Sequence, residues 1–159
     1  MDNALEEYLH RHKIGFREYE HRAVFTVDES IELKKSIPGL HCKCLFLKGS
    51  NGRFYLVGMP AEKKLDIKKL REYLGVRKIH FASEDELFDK LKLRPGSVSI
   101  FGMINNISLD VALIIDKNVW SADAVGFHPN LNTSTLVLKH IDLERFYNSV
   151  KNDKEVIEL

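Results

Sequence analysis

Two β-rich runs, KCLFLKG (43–49) and RFYLVGM (53–59), flank the triplet Ser50-Asn51-Gly52. A glycine-ended polar triplet between apolar runs of this length is a hairpin signal, so the chain commits early to an antiparallel pair. Side chains alternate along an extended strand. Cys42, Cys44 and Phe46 therefore share one face of the first run, and Lys43, Leu45 and Leu47 share the other.

Around this pair the pattern switches repeatedly between periods. NALEEYLHRH (3–12) sets Leu5, Tyr8 and Leu9 on one helical face, and FREYEH (16–21) then reads as a strand. TVDESIELKKS (26–36) offers Thr26 as N-cap with Glu29 three residues on, and stops before Pro38-Gly39, which predicts a helix. LDIKKLREYLG (65–75) is an amphipathic helix stopped by Gly75, and IHFAS (79–83) is a short strand. SEDELFDKLKL (83–93) is a helix with Ser83 as N-cap and Glu86 in capping-box position. RPGSVSIFGMINN (94–106) reads as a loop entering a strand, with a turn at Asn105-Asn106. LDVALIID (109–116) predicts a buried strand, AVGFHPNLNTSTLVLKH (124–140) a polar loop with a further strand, and IDLERFYNSV (141–150) a closing helix. Six or so strands interspersed with helices imply an α+β domain around a mixed sheet, with residues 1–159 as one domain.

With 44% apolar and 30% charged residues the chain can bury a core. No apolar run approaches the roughly 18 residues that would span a bilayer, which argues against a membrane partner. MDNALEEYLHRHK lacks the order of a signal peptide, and cysteines at i, i+2 are poorly placed to bridge each other, so a reducing cytoplasm is the expected location. Net charge is +1, yet residues 34–78 hold twelve Lys or Arg against three Asp or Glu, while the segments before and after each sum to −4. A basic middle between acidic flanks fits a limited phosphate-contacting patch. Lys63, Lys64, Lys68, Lys69 and Arg71 are equally readable as the solvated face of a helix.

His41, Cys42 and Cys44 suggest a metal or thiol centre, but a structural metal needs about four ligands and no second Cys pair exists to complete the set. Two thiols in line with Phe46 read as small hydrophobes. Lys43 is the unusual residue, an ammonium in line with two leucines. Either it snorkels from the strand's edge to water, or it points into a pocket awaiting an anionic or carbonyl oxygen. Gly96 heads a small-residue turn able to bring main-chain groups close to a ligand. His128, held extended before Pro129, is followed by Asn130, Asn132 and Thr133; His21 and Thr26 are further polar candidates with ordinary capping roles as the alternative.

The order of EHRAVFTVDES, HCKCLFLKG, the stretch from KLDIKK to SVSIFG, LIIDKNV and VGFHPNLNTSTLVL resembles the YbaK and prolyl-tRNA synthetase-associated domain family, closest to deacylases of alanine mischarged onto proline tRNA. The resemblance aligns Lys43 with the family's lysine, residues 96–100 with its Gly-x-x-x-Pro loop, and Phe127, His128, Pro129, Asn132 and Thr133 with its Phe-His-Pro segment. Three positions depart: Cys44 stands where asparagine is usual, Ile100 replaces the loop proline, and Arg22 replaces the proline common after His21.

The resemblance implies an α+β fold with a mixed, mainly antiparallel sheet of about six to seven strands flanked by helices. It implies a trans-editing hydrolase that cleaves the aminoacyl ester of mischarged proline tRNA, above all its alanyl form, without cofactor or metal. The acceptor end of that tRNA is the implied partner, with prolyl-tRNA synthetase as a second. The implied catalytic set is Lys43, Gly96, Ser97, Val98 and Ser99. His21, Thr26, Cys44, Ile100, Phe101 and Gly102, with the Phe127–Thr133 segment named above, are the implied substrate contacts. A non-catalytic tRNA-end or synthetase-binding module of the same fold is the alternative.

Overall fold

The computed structural model describes residues 1–23 and 27–159. Among the described residues eight strands form one mixed sheet in the order β1-β7-β6-β2-β3-β5-β8, with β4 attached to β2 off this path. The strands are β1 (Arg17–Glu20), β2 (Leu40–Gly49), β3 (Phe54–Pro60), β4 (Ile79–Phe81), β5 (Val111–Asp116), β6 (Ala124–Phe127), β7 (Ser134–Lys139) and β8 (Lys154–Ile157). The helices are α1 (Asn3–Arg11), α2 (Val27–Ser36), α3 (Ile67–Leu74), α4 (Glu84–Leu91), α5 (Lys117–Trp120) and α6 (His140–Ser149). The α+β class and the mixed sheet agree with the sequence reading.

The expected hairpin is β2–β3, paired from Cys42↔Pro60 to Lys48↔Phe54. Its turn closes through the Gly49 N–H donating to the Arg53 carbonyl, with Gly52 at φ +79°. Alternation then sorts the core. Cys44 and Phe46 pack under α1, α4 and α6 with Leu5, Leu91 and Phe146, whereas Leu47 and the half-buried Leu45 pack with Met59 and Leu70 of α3 on the opposite face. Helix α4 carries the expected reciprocal cap, in which Ser83 Oγ accepts the Glu86 N–H and Glu86 Oε1 accepts the Ser83 N–H. Gly75, at φ +68°, ends α3. The proposed Thr26 cap lies outside the described residues.

The structure corrects the sequence reading in three places. The strand expected within SVSIFG is a 3₁₀ turn, Ile100–Asn105, entered when Ser99 Oγ accepts the Phe101 N–H. AVGF is a strand in its own right, antiparallel to β7 and parallel to the start of β2. A final strand, β8, adds parallel to β5.

Candidate active site

The feature that positions the site is a split on one edge of β2. β6 pairs with that edge at Leu40 and His41, and β4 pairs with it from Leu47 to Gly49. Between them the edge is open. Main-chain bonds fix which residues face it: the His41 carbonyl accepts from Ala61 on the β3 side, whereas the Phe46 carbonyl accepts from Ala82 on the β4 side. By alternation the N–H and C=O of Cys44 point into the gap. Neither has a main-chain partner among the described residues, although Cys44 is only 9% exposed. Nearly buried main-chain groups are almost always hydrogen-bonded, so this gap is a place where a ligand or water is needed.

The gap holds a small cavity of about 200 Å³, lined by Cys42, Lys43, Cys44, Gly96, Val98 and His128. The structure thus brings Lys43, Gly96 and His128 together from β2, the loop after α4 and the end of β6. Lys43 is half-buried and has no ion-pair or hydrogen-bond partner among the described residues. The turn containing Gly96 is closed by the Ser97 N–H donating to the Arg94 carbonyl. Gly96 sits at φ +87°, a left-handed conformation that explains glycine here.

His128 has a defined tautomer. Its Nδ1 lies 3.1 Å from the Ser134 carbonyl, which can only accept, so Nδ1 carries the hydrogen. Burial pushes the imidazole pKa below its ordinary value, against the opposing pull of the Ser134 carbonyl. The ring is therefore neutral near pH 7 with Nε2 as a free acceptor. The His21 ring lies 6.3 Å away, its Nε2 bonded to Thr135 Oγ1 and its Nδ1 to the Arg22 carbonyl.

The thiols are unsuited to nucleophilic work. Burial pushes the Cys42 pKa up to about 12 and raises that of Cys44 as well, so both stay protonated. His41 Nε2 bonds the Ile37 carbonyl, and no group of three or more His, Cys, Asp or Glu among the described residues could hold a metal ion.

Other expected site residues lie elsewhere. Ser99, Ile100 and Phe101 are fully buried, with Phe101 packed edge-on to Phe127 and Phe146. Gly102 is pressed against Leu93, whose Cδ1 would stand 2.6 Å from an added Cβ. These residues, with Phe127 at 2% exposure, shape the cavity from behind instead of lining it. Ser97 is half-buried beside the lining residues, and Pro129 is buried. Asn132 and Thr133 belong to the β6–β7 connection, where the Thr133 carbonyl accepts the His21 N–H. Thr26 lies outside the described residues.

The basic segment is partly internal. Lys48 pairs with Glu86 at 2.7 Å, Lys63 with the buried Asp116 at 2.8 Å and Arg53 with Asp153 at 3.0 Å. Lys64, Lys68 and Lys69 have no such carboxylate partner among the described residues. A larger cavity of about 490 Å³ lies between β1, β7 and Asp142; Asp142 accepts the Gly15 N–H and faces Arg145, and the cations lining it, Arg17 and Lys139, are exposed, whereas Lys43 is half-buried.

Comparison with known proteins bears on the family and the fold. The profile of the aminoacyl-tRNA editing domain family matches residues 21–146. The chain is 38% identical to the prolyl-tRNA editing protein ProX of Acetoanaerobium sticklandii, over 92% of this chain and 90% of that one. It is 28% identical to prolyl-tRNA synthetase associated domain-containing protein 1 of Danio rerio, covering 99% of this chain and 86% of the relative. A solved structure described as a candidate trans-editing enzyme for prolyl tRNA synthetase superposes with a TM-score of 0.74 over 100% of this chain and 99% of that chain. At 15% identity that likeness shows the fold.

Proposed function

The chain belongs to the aminoacyl-tRNA editing domain family, and on that footing we propose that it is an aminoacyl-tRNA deacylase that hydrolyses alanine from mischarged proline tRNA. The observation that carries the reading is the convergence of an unpaired lysine, a glycine-headed turn and a neutral histidine on one small cavity at an open strand edge.

An aminoacyl ester is intrinsically reactive, so orientation and charge stabilisation supply most of the catalysis without a nucleophilic side chain. The Lys43 ammonium polarises the ester carbonyl and meets the negative charge that develops on it as water adds. The main-chain N–H groups of Gly96 and Val98 share that oxyanion, the Ser97 N–H being held by the Arg94 carbonyl. His128 Nε2 accepts a hydrogen bond from the attacking water, and the vicinal ribose hydroxyl assists proton transfer to the departing ester oxygen. The Cys44 thiol, standing where the family usually has asparagine, is buried and takes no part in the chemistry.

Selectivity follows from shape. The cavity of about 200 Å³ accommodates the alanyl group, and a bulkier group is rejected where it collides with the walls beside Lys43, Val98 and His128. Lys64, Lys68 and Lys69 are placed to meet acceptor-end phosphates, an interaction that weakens with salt. Proline tRNA charged with alanine, serine, cysteine or proline tests the reading. Alanine is expected to be released fastest and proline spared; ester loss no faster than in buffer for every member of the panel overturns the proposal.

A further inference from the structure

The open edge of β2 borders a second cavity, of about 220 Å³, which shares Cys44, Gly96 and Val98 with the first. It continues the cleft toward β4 and is lined there by Leu45, Phe81 and Glu84 among others. Phe81 stands opposite Leu47 in the β2–β4 register. Directly paired residues project to the same face of a sheet, so Phe81 shares the face of Lys43 and Leu45. It lies at the other end of the gap, Cys44 being about 10 Å along the strand from the residue that Phe81 faces. Phe81 is 64% exposed and has no ring or cation partner among the described residues. Phe88 and Tyr73, also exposed aromatics, are engaged: Arg94 lies over the Phe88 ring and Tyr73 donates to Glu155.

We propose that this second cavity receives the terminal adenine of the tRNA, with the Phe81 ring stacked on the base and the free Cys44 main-chain N–H and C=O reading its edge. The inference rests on the deacylase reading of the adjoining cleft. Three observations select a base over other occupants. Among the described residues the only ionisable group lining the cavity besides the Cys44 thiol is the Glu84 carboxylate, which disfavours a phosphate. An exposed aromatic ring beside an apolar hollow is the usual stacking platform for an unpaired base. Finally, one donor beside one acceptor matches the N6 amine of adenine and the ring nitrogen next to it; such a pair is common to the polar edges of the bases, so the stacked ring area separates purine from pyrimidine. The residues shared with the first cavity, Cys44, Gly96 and Val98, set the base beside its aminoacyl ester.

The test uses the intact protein and 5′-labelled CCA trinucleotides carrying an amide-linked alanine, with the terminal base as adenine, as purine without the N6 amine, or as cytosine. Fluorescence anisotropy reads binding without hydrolysis. Adenine is expected to bind best, purine less well and cytosine at least tenfold more weakly. Phe81→Ala should weaken adenine binding by about five- to hundredfold and narrow the gap between the purine rings and cytosine, while Phe81→Trp preserves the preference. Because Phe81 is exposed, both variants should melt with the wild type, and the thermal scan confirms it. Equal binding of the three trinucleotides by the wild type overturns the inference, as does an unchanged affinity in Phe81→Ala. Hydrolysis of alanine-charged tRNA is measured alongside. Hydrolysis without base preference removes the adenine site and leaves the deacylase; base preference without hydrolysis does the reverse.

Discussion

Replacing Gly96 by alanine separates the geometry of the cleft from the stability of the fold. Gly96 has φ +87°, and a Cβ built there meets nothing within 4 Å. The cost is therefore backbone strain alone, about 1–2 kcal/mol for an L-residue held in the left-handed region. For a chain of this size that corresponds to a melting temperature lower by roughly 2–8 °C. Gly75 supplies a matched control: it too has positive φ, +68°, with nothing within 4 Å of its Cβ, but it caps α3 and lines neither cavity of the cleft. Both variants should lose similar stability by thermal denaturation. Only Gly96→Ala should lose activity, because the turn relieves its strain by rotating the N–H groups of Gly96 and Val98 away from the ester oxygen. Removing one such donor costs on the order of 10²–10³ in kcat, and partial misplacement should cost at least about tenfold in kcat/KM. Deacylation of alanine-charged proline tRNA is the assay. Wild-type activity in a destabilised Gly96→Ala, or an equal loss in Gly75→Ala, refutes the reasoning.

Three further outcomes follow from the same geometry. Lys43→Ala should lose about 10²-fold or more in kcat/KM by the same assay while its melting temperature stays within a few degrees of wild type, since Lys43 makes no ion pair among the described residues. His128 must be neutral to accept a proton, and burial lowers its pKa from the ordinary 6.5, so a kcat/KM profile should be flat near pH 7 and fall only below about 6.5. His128→Asn should abolish that acid limb along with most activity, whereas a limb that persists assigns it to another group. The two protonated thiols should leave activity insensitive to iodoacetamide at pH 7.5, and rapid inactivation that substrate prevents would restore a thiol role.

How much of this was legible in the sequence depended on whether the signal was local. The β2–β3 hairpin and the Ser83–Glu86 cap were readable because turn glycine, alternation and capping spacing all act within a few residues. The 3₁₀ turn was not. Val98 and Ile100 alternate as in a strand, but the Ser99 hydroxyl takes the Phe101 N–H and the following apolar residues pack as a tight helix. β8 was missed because Lys154 and Glu155 occupy half of a four-residue edge strand, which leaves almost no periodic signal. Lys43, Gly96 and His128 were flagged individually, and family resemblance grouped them. The gap that unites them could not be read from the chain, because it arises from two strands some 45 residues apart, β4 and β6, pairing with opposite ends of one edge of β2. Phe81 gave one faint sign, an aromatic in a strand of three residues, IHF, whose register and exposure only the fold defines.

The site assignment is tested most directly by solving the structure with 3′-alanylamino-adenosine, whose amide stands in for the ester and resists hydrolysis. The account predicts the alanyl carbonyl oxygen within hydrogen-bond reach of Lys43 Nζ and the main-chain N–H of Gly96 or Val98, with the methyl group enclosed between Val98 and His128. A ligand seated elsewhere on the protein, with the β2 edge still open, would contradict it.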